Sequence, residues 1–180
     1  DGAVEISEVE LTDDQIDEGL EVIRRLWDAG LAHRDLKPAN IMVRDGHVVL
    51  IDVAFGQVRP TPWRQAVDLA NMMLVLALSS DPERVYNRAL QFFSPDDVAE
   101  AFAATRSVSV PSQSRSMLRS VRKDQRVDLV QSFRDLAPSR ERISIQRWSR
   151  RRIAMAIVTL LAILMLISFI IDNIRGQGFI

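Results

Sequence analysis

Apolar positions recur at helical spacing early in the chain, with Ile16, Leu20, Ile23 and Trp27 on one face and Gly30 supplying a stop. Thr12-Asp13-Asp14-Gln15 just ahead reads as a capping box, Thr12 as N-cap and Gln15 reaching back. The period then changes. Ile41-Met42-Val43 and Val48-Val49-Leu50-Ile51 flank Arg44-Asp45-Gly46-His47, and Asp-Gly between β-branched runs predicts a hairpin. From Gln65 the helical spacing returns, and Met72, Met73, Leu74, Val75, Leu76 and Leu78 make that helix apolar on most sides, which places it centrally. Its methionines read as gap-filling core. Asp81-Pro82-Glu83 opens a further helix, with Val85, Tyr86, Ala89, Leu90 and Phe93 down its face. Ser94-Pro95-Asp96-Asp97 opens the next: an N-cap, proline at the first position, then acids over the positive helix end. The paired acids Asp13-Asp14 and Asp96-Asp97 are therefore assigned to capping rather than catalysis. Residues 106–126, rich in Ser and Arg with Pro111, read as a loop or linker. Asp128 to Phe133 reads as a short helix ending before Pro138.

Farther on the pattern is continuous rather than periodic. Ile153 to Ile171 carries no charged residue over about 19 positions, roughly 28 Å of helix, which predicts a single transmembrane helix. Arg147, Arg150, Arg151 and Arg152 precede it, whereas Arg175 follows beside Asp172, so the N-terminal portion is expected to be cytoplasmic. Trp148 is placed to anchor at the headgroup level. The protein is thus expected to be single-pass or part of a multi-pass chain.

Composition sharpens this picture in two places. The hydrophobic share of 47% is ordinary, and the net charge of −1 conceals an asymmetry. Residues 1–34 carry about seven excess negative charges and residues 106–152 about nine excess positive ones. Basic residues there either attract anionic lipid headgroups, worth about 1 kcal/mol each, or only fix topology. The absence of cysteine excludes a disulfide framework and a thiolate metal site. No nucleic-acid partner is expected.

The candidate chemistry lies between the first helix and the end of the hairpin. His33-Arg34-Asp35-Leu36-Lys37-Pro38-Ala39-Asn40 places a carboxylate, an ammonium and an amide on one loop, and the return strand delivers Asp52. Phosphoryl transfer asks for a group to orient a hydroxyl, ligands for Mg²⁺ and positive charge near the migrating phosphate. Carboxylate and carboxamide oxygens suit Mg²⁺. His47, at the hairpin turn, reads as a solvated imidazole.

His33 to Asn40 resembles the catalytic loop of the protein-kinase superfamily, and Asp52-Val53-Ala54-Phe55-Gly56 resembles its metal-binding segment. The resemblance covers about Leu11 to Leu78. It implies a mainly α, protein-kinase-like C-terminal lobe with a small β-hairpin. It also implies ATP and Mg²⁺ as cofactors, Asp35 as catalytic base, Lys37 as the phosphate contact, and Asn40 and Asp52 as metal ligands. By the same likeness Asp68 braces the loop's backbone with His33 part of that brace, and Arg34 is structural, with Thr61 the acceptor were it instead to clamp a phosphate. Val53-Ala54 intervene before Phe55-Gly56, the Ala-Pro-Glu triad is absent, and the segment from Gly56 to Asp68 is short. These features look like RIO-type or lipopolysaccharide-kinase-type enzymes. No glycine-rich loop or Val-Ala-x-Lys strand precedes Asp35, so the nucleotide-covering lobe is expected upstream of Asp1.

The expected organisation is a kinase-like lobe over 1–105, a basic linker and juxtamembrane segment over 106–152, the span over 153–171 and a tail over 172–180. The function expected is membrane-anchored phosphotransfer from ATP to a hydroxyl-bearing acceptor, a protein or a lipid or glycan. The alternative is a non-catalytic pseudokinase serving as a tethered binding or scaffold module.

Overall fold

The computed structural model describes residues 2–105, 110–124, 126–139 and 150–176. It divides into two units, 1–143 and 144–180.

In the first unit, strand β1 (Val4–Glu5) precedes helix α1 (Asp13–Asp28). The capping box is formed: Gln15 N–H donates to Thr12 Oγ1 at 3.3 Å, and Thr12 N–H donates to Gln15 Oε1 at 3.0 Å. Helix α1 stops at Gly30, whose φ of +66° is the left-handed conformation that ends helices. Strands β2 (Leu31–Ala32), β3 (Ile41–Arg44), β4 (His47–Leu50) and β5 (Gln57–Val58) follow. The predicted hairpin is β3–β4, in register Ile41↔Leu50 to Arg44↔His47. Its turn takes Asp45 and Gly46 to φ of 52° and 85°, both positive as a two-residue turn with the twist of its strands requires. One antiparallel sheet has the order β1-β3-β4, and β2 pairs with β5 in a second.

Helix α2 (Pro62–Leu78) is the axis of the core. Every residue from Ala66 to Ala77 is buried, because α1 and helices α3 (Pro82–Ala89) and α4 (Pro95–Ala104) pack around it. Caps form where the sequence places them, with Asp81 and Ser94 accepting from the first-turn amides of α3 and α4. Arg84 and Arg88 of α3 reach the acids Asp13 and Asp17 of α1.

Three expectations change. The stretch expected as a loop or linker contains helix α5 (Ser112–Asp124), whereas α6 (Leu129–Leu136) is the short helix expected after Asp128; both pack against α2 or its neighbours. The apolar side of α5 consists of little more than Leu118 and Val121 beside a buried Ser114, too narrow to show as a stripe. Helix α6 is anchored by Phe133, which is fully buried and stacked on Phe102 at 4.7 Å between ring centroids.

The second correction concerns the C-terminal helix. In the second unit residues 153–171 lie in helix α7 (Arg150–Gly176), but among the described residues no helix is long and apolar enough to cross a membrane. The expectation of a transmembrane helix is overturned, and the orientation argued from its flanks loses its basis. Arg147, Trp148 and residues 177–180 lie outside the described residues.

Helix α1 also holds the hairpin. Gln15 Nε2 donates to Gly46 O at 3.0 Å, and Glu18 takes the Val48 N–H at 2.8 Å and meets His47 Nδ1 at 2.7 Å. His47 is therefore a partner of Glu18 and not merely solvated. The Val48 amide first, then the imidazole, hold Glu18 below the usual carboxylate range. The hydrogen bond that Glu18 accepts raises the His47 pKa.

Removing Phe133 would strip α6 of its anchor. Phe133→Ala is expected to cost about 3–5 kcal/mol of unfolding free energy in urea titrations, and a change below about 1 kcal/mol would mean that α6 is not part of the core. The His47–Glu18 contact predicts a pH effect of definite sign. With the folded imidazole's pKa raised, its contribution is complete below about pH 6.5 and fades as pH rises through the raised value. The melting-temperature difference between wild type and His47→Ala should shrink accordingly, and a difference that does not vary with pH would exclude the imidazolium form as its source.

Candidate functional site

The loop between β2 and β3 is fixed from below by α2. Asp68, buried in that helix, accepts the His33 N–H at 2.6 Å on Oδ2 and the Arg34 N–H at 3.0 Å on Oδ1. Burial pushes the Asp68 carboxyl up, and the two amide donors pull it back. Arg34 sits at φ 72°, a conformation that costs a non-glycine residue about 1–3 kcal/mol and persists where surroundings over-determine it. The two amide bonds to Asp68 are that restraint.

His33 carries the brace across to the strand that delivers Asp52. Its Nε2 lies 3.1 Å from Ile51 O, and its Nδ1 lies 3.4 Å from the Asp35 amide. An Nε2–H tautomer satisfies both contacts, donating to the carbonyl and accepting from the amide. The Ile51 N–H in turn donates to Asn40 O at 2.9 Å. Ile51 is thus tied on both backbone sides to the loop, and Asp52 is the next residue. Asp52 is exposed, at φ 58°, and its carboxylate has no hydrogen bond or ion pair among the described residues.

Asp35, Lys37 and Asn40 meet. Lys37 Nζ lies 2.6 Å from Asp35 Oδ2, and Asn40 Nδ2 donates to Asp35 O at 2.8 Å and to Asp35 Oδ2 at 3.2 Å. Both polar neighbours are therefore on one carboxylate oxygen. Oδ1 has no partner among the described residues. Because the Asn40 nitrogen faces Asp35, its amide oxygen is the atom left for another ligand.

Two positions escaped the sequence reading. Gln113 of α5 accepts the Ala39 N–H at 3.2 Å through Oε1 and donates to Glu5 Oε1 at 3.3 Å, so it buttresses the turn ahead of Asn40. Ile51 acts through its backbone. No local pattern betrays either, since the partners lie far off in sequence.

Among the described residues no group of three or more His, Asp or Glu side chains converges on a metal position. Mg²⁺ does not require one, because it binds through one or two carboxylates together with substrate phosphates and retained waters. The unpartnered Asp52 carboxylate and the Asn40 amide oxygen are hard donors of that kind, so the residues fit the ion. No protein-family model matches the chain, and neither the curated proteins nor the solved structures searched contain a match.

Asp68 should be the most sensitive position for the loop's backbone. Asp68→Ala leaves two amide donors without their acceptor, a loss of about 1–3 kcal/mol for each that stays shut off from water. The expected signature is faster hydrogen exchange at the His33 and Arg34 amides with α1 protection retained. Unchanged exchange at those two amides would show that the loop stands without the brace.

Proposed function

We propose that this chain carries the catalytic loop and metal-binding aspartate of a kinase-like phosphotransferase, moving a phosphoryl group from ATP to a hydroxyl. The observation that carries the reading is the convergence of Asp35, Lys37 and Asn40 on one loop, with the residue before Asp52 bonded to that loop. Asp35 Oδ1, free of the contacts that occupy Oδ2, is the oxygen suited to orient an acceptor hydroxyl and take its proton. Lys37 holds the carboxylate in place and keeps positive charge beside it. Asn40 and Asp52 would hold Mg²⁺. Magnesium–ATP supplies the phosphoryl group and the countercharge its transfer requires. The chain's own part is positioning, which is where most of the rate of such a reaction arises.

One observation favours a second reading. The Lys37 ammonium is paired with Asp35, which suits a nucleotide-binding module without turnover as well as an enzyme. Transfer of labelled γ-phosphate separates the two. In the full-length protein, Asp35→Ala is expected to lower transfer by at least about a hundredfold, in keeping with the loss of a general base, while the melting temperature stays close to wild type. Transfer that survives Asp35→Ala unchanged would dismiss the base assignment, and a wild type that binds Mg²⁺–ATP but transfers nothing would establish the second reading.

A further inference from the structure

A cleft of about 720 Å³ opens between α5 and α6, away from the Asp35 loop. Arg115, Arg119, Arg122 and Arg134 line it, with Asp128 as the carboxylate among the lining residues. Arg115, Arg119 and Arg122 are spaced by four and three residues, which puts them on one face of α5. Like charges so spaced repel, although Arg119 Nε donates to Arg115 O at 3.3 Å within the helix. Asp128 offsets part of the charge, its Oδ2 lying 3.2 Å from Arg122 Nη1. Arg134 is anchored on backbone, donating to Phe102 O and to Thr105 O at 3.0 Å.

Arg115 supplies an independent sign. Its Nε is shut off from solvent and has no acceptor among the described residues. A buried donor without a partner is costly, and one set in an arginine-lined cleft suits an anionic acceptor. The volume falls within the roughly 300–1,000 Å³ of small-molecule sites and exceeds what an inorganic phosphate fills. Leu118 and Val130 give the remainder of the cleft an apolar wall.

We propose that this cleft is an anion site that takes a phosphate-bearing ligand, the phosphate on the arginine face and an organic body against Leu118 and Val130. Guanidinium groups suit this, because their planar forks match phosphate oxygens bidentately. The phosphate comes either from a soluble phosphorylated compound or from a phospholipid headgroup. The site is separate from the Asp35 loop, and its existence does not depend on the phosphotransferase reading.

The test is titration calorimetry of the full chain with inorganic pyrophosphate, together with co-sedimentation on phosphatidylcholine vesicles with and without phosphatidic acid. Saturable binding to either probe is expected, weakened at least about tenfold in Arg115→Gln/Arg119→Gln. Arg122→Gln, at a largely exposed side chain, provides a second variant with little risk to folding. Pyrophosphate binding supports the site with a soluble ligand, and binding to phosphatidic-acid vesicles alone supports it with a headgroup. Equal affinity in wild type and the folded arginine variants overturns the proposal. So does binding that is lost in Lys37→Ala but kept in the arginine variants, and so does a failure of both probes to bind.

Discussion

A single buried carboxylate governs the geometry of the loop that follows β2. Asp68 leaves the most enclosed helix of the fold and takes the backbone of His33 and Arg34. Withdrawing a carboxylate from water is unfavourable unless its lone pairs are used, and here burial does raise its pKa against the pull of two amide donors. The energy goes into conformation. Arg34 is held left-handed, and Asp35 and Lys37 follow from a fixed point rather than from a free loop. A neutral residue at 68 would pack more easily in α2 but would give the loop no reason to adopt that turn.

From that point the arrangement spreads by backbone contacts rather than by further buried charge. His33 spans from the Asp35 amide to the Ile51 carbonyl, and Ile51 returns a bond to Asn40. The charged groups themselves remain half-exposed or exposed, apart from Asp68. This division is physically sensible. Solvated Asp35, Lys37 and Asp52 avoid the desolvation that makes buried ion pairs poor stabilisers, while the peptide groups that aim them are paired and shielded. The Lys37–Asp35 pair, with side chains 29% and 20% exposed, adds restraint to the loop rather than much stability.

What the sequence made legible follows the range of the interactions. Thr12 with Gln15, Ser94 with Asp97 and the Asp45-Gly46 turn each act within a few residues, and each forms as expected. The central helix was legible because nearly every position in it is apolar. The residues of the loop were legible through their composition; Asp35, Lys37 and Asn40 meet within that one loop, and the hairpin returns Ile51 to it. Glu18 on Val48 and Gln113 on Ala39 were not, since each is a polar side chain whose partner is a distant peptide group. Helix α5 was hidden for a related reason: its buried side is too sparse, and its serines and arginines resemble a linker. The continuous apolar run at 153–171 misled in the opposite direction, because a charge-free stretch identifies a helix more securely than its surroundings.

Helix α5 faces two ways. Gln113, in its first turn, touches the Ala39 amide just before Asn40, and its arginines begin two residues later. A helix of this length, roughly 20 Å, moves as a rod rather than residue by residue. A displacement at the arginine face is therefore felt at Gln113 unless the helix bends, and the Gln113–Ala39 contact at 3.2 Å has little slack before it ceases to be a hydrogen bond. Gln113 also holds Glu5 of β1, and β1 pairs with β3, the strand that Asn40 leads into. The turn carrying Asn40 is thus bounded by α5 on one side and by the β1–β3 ladder on the other. Its position is set by packing well outside the Asp35 loop, by elements that themselves contribute none of the loop's polar groups.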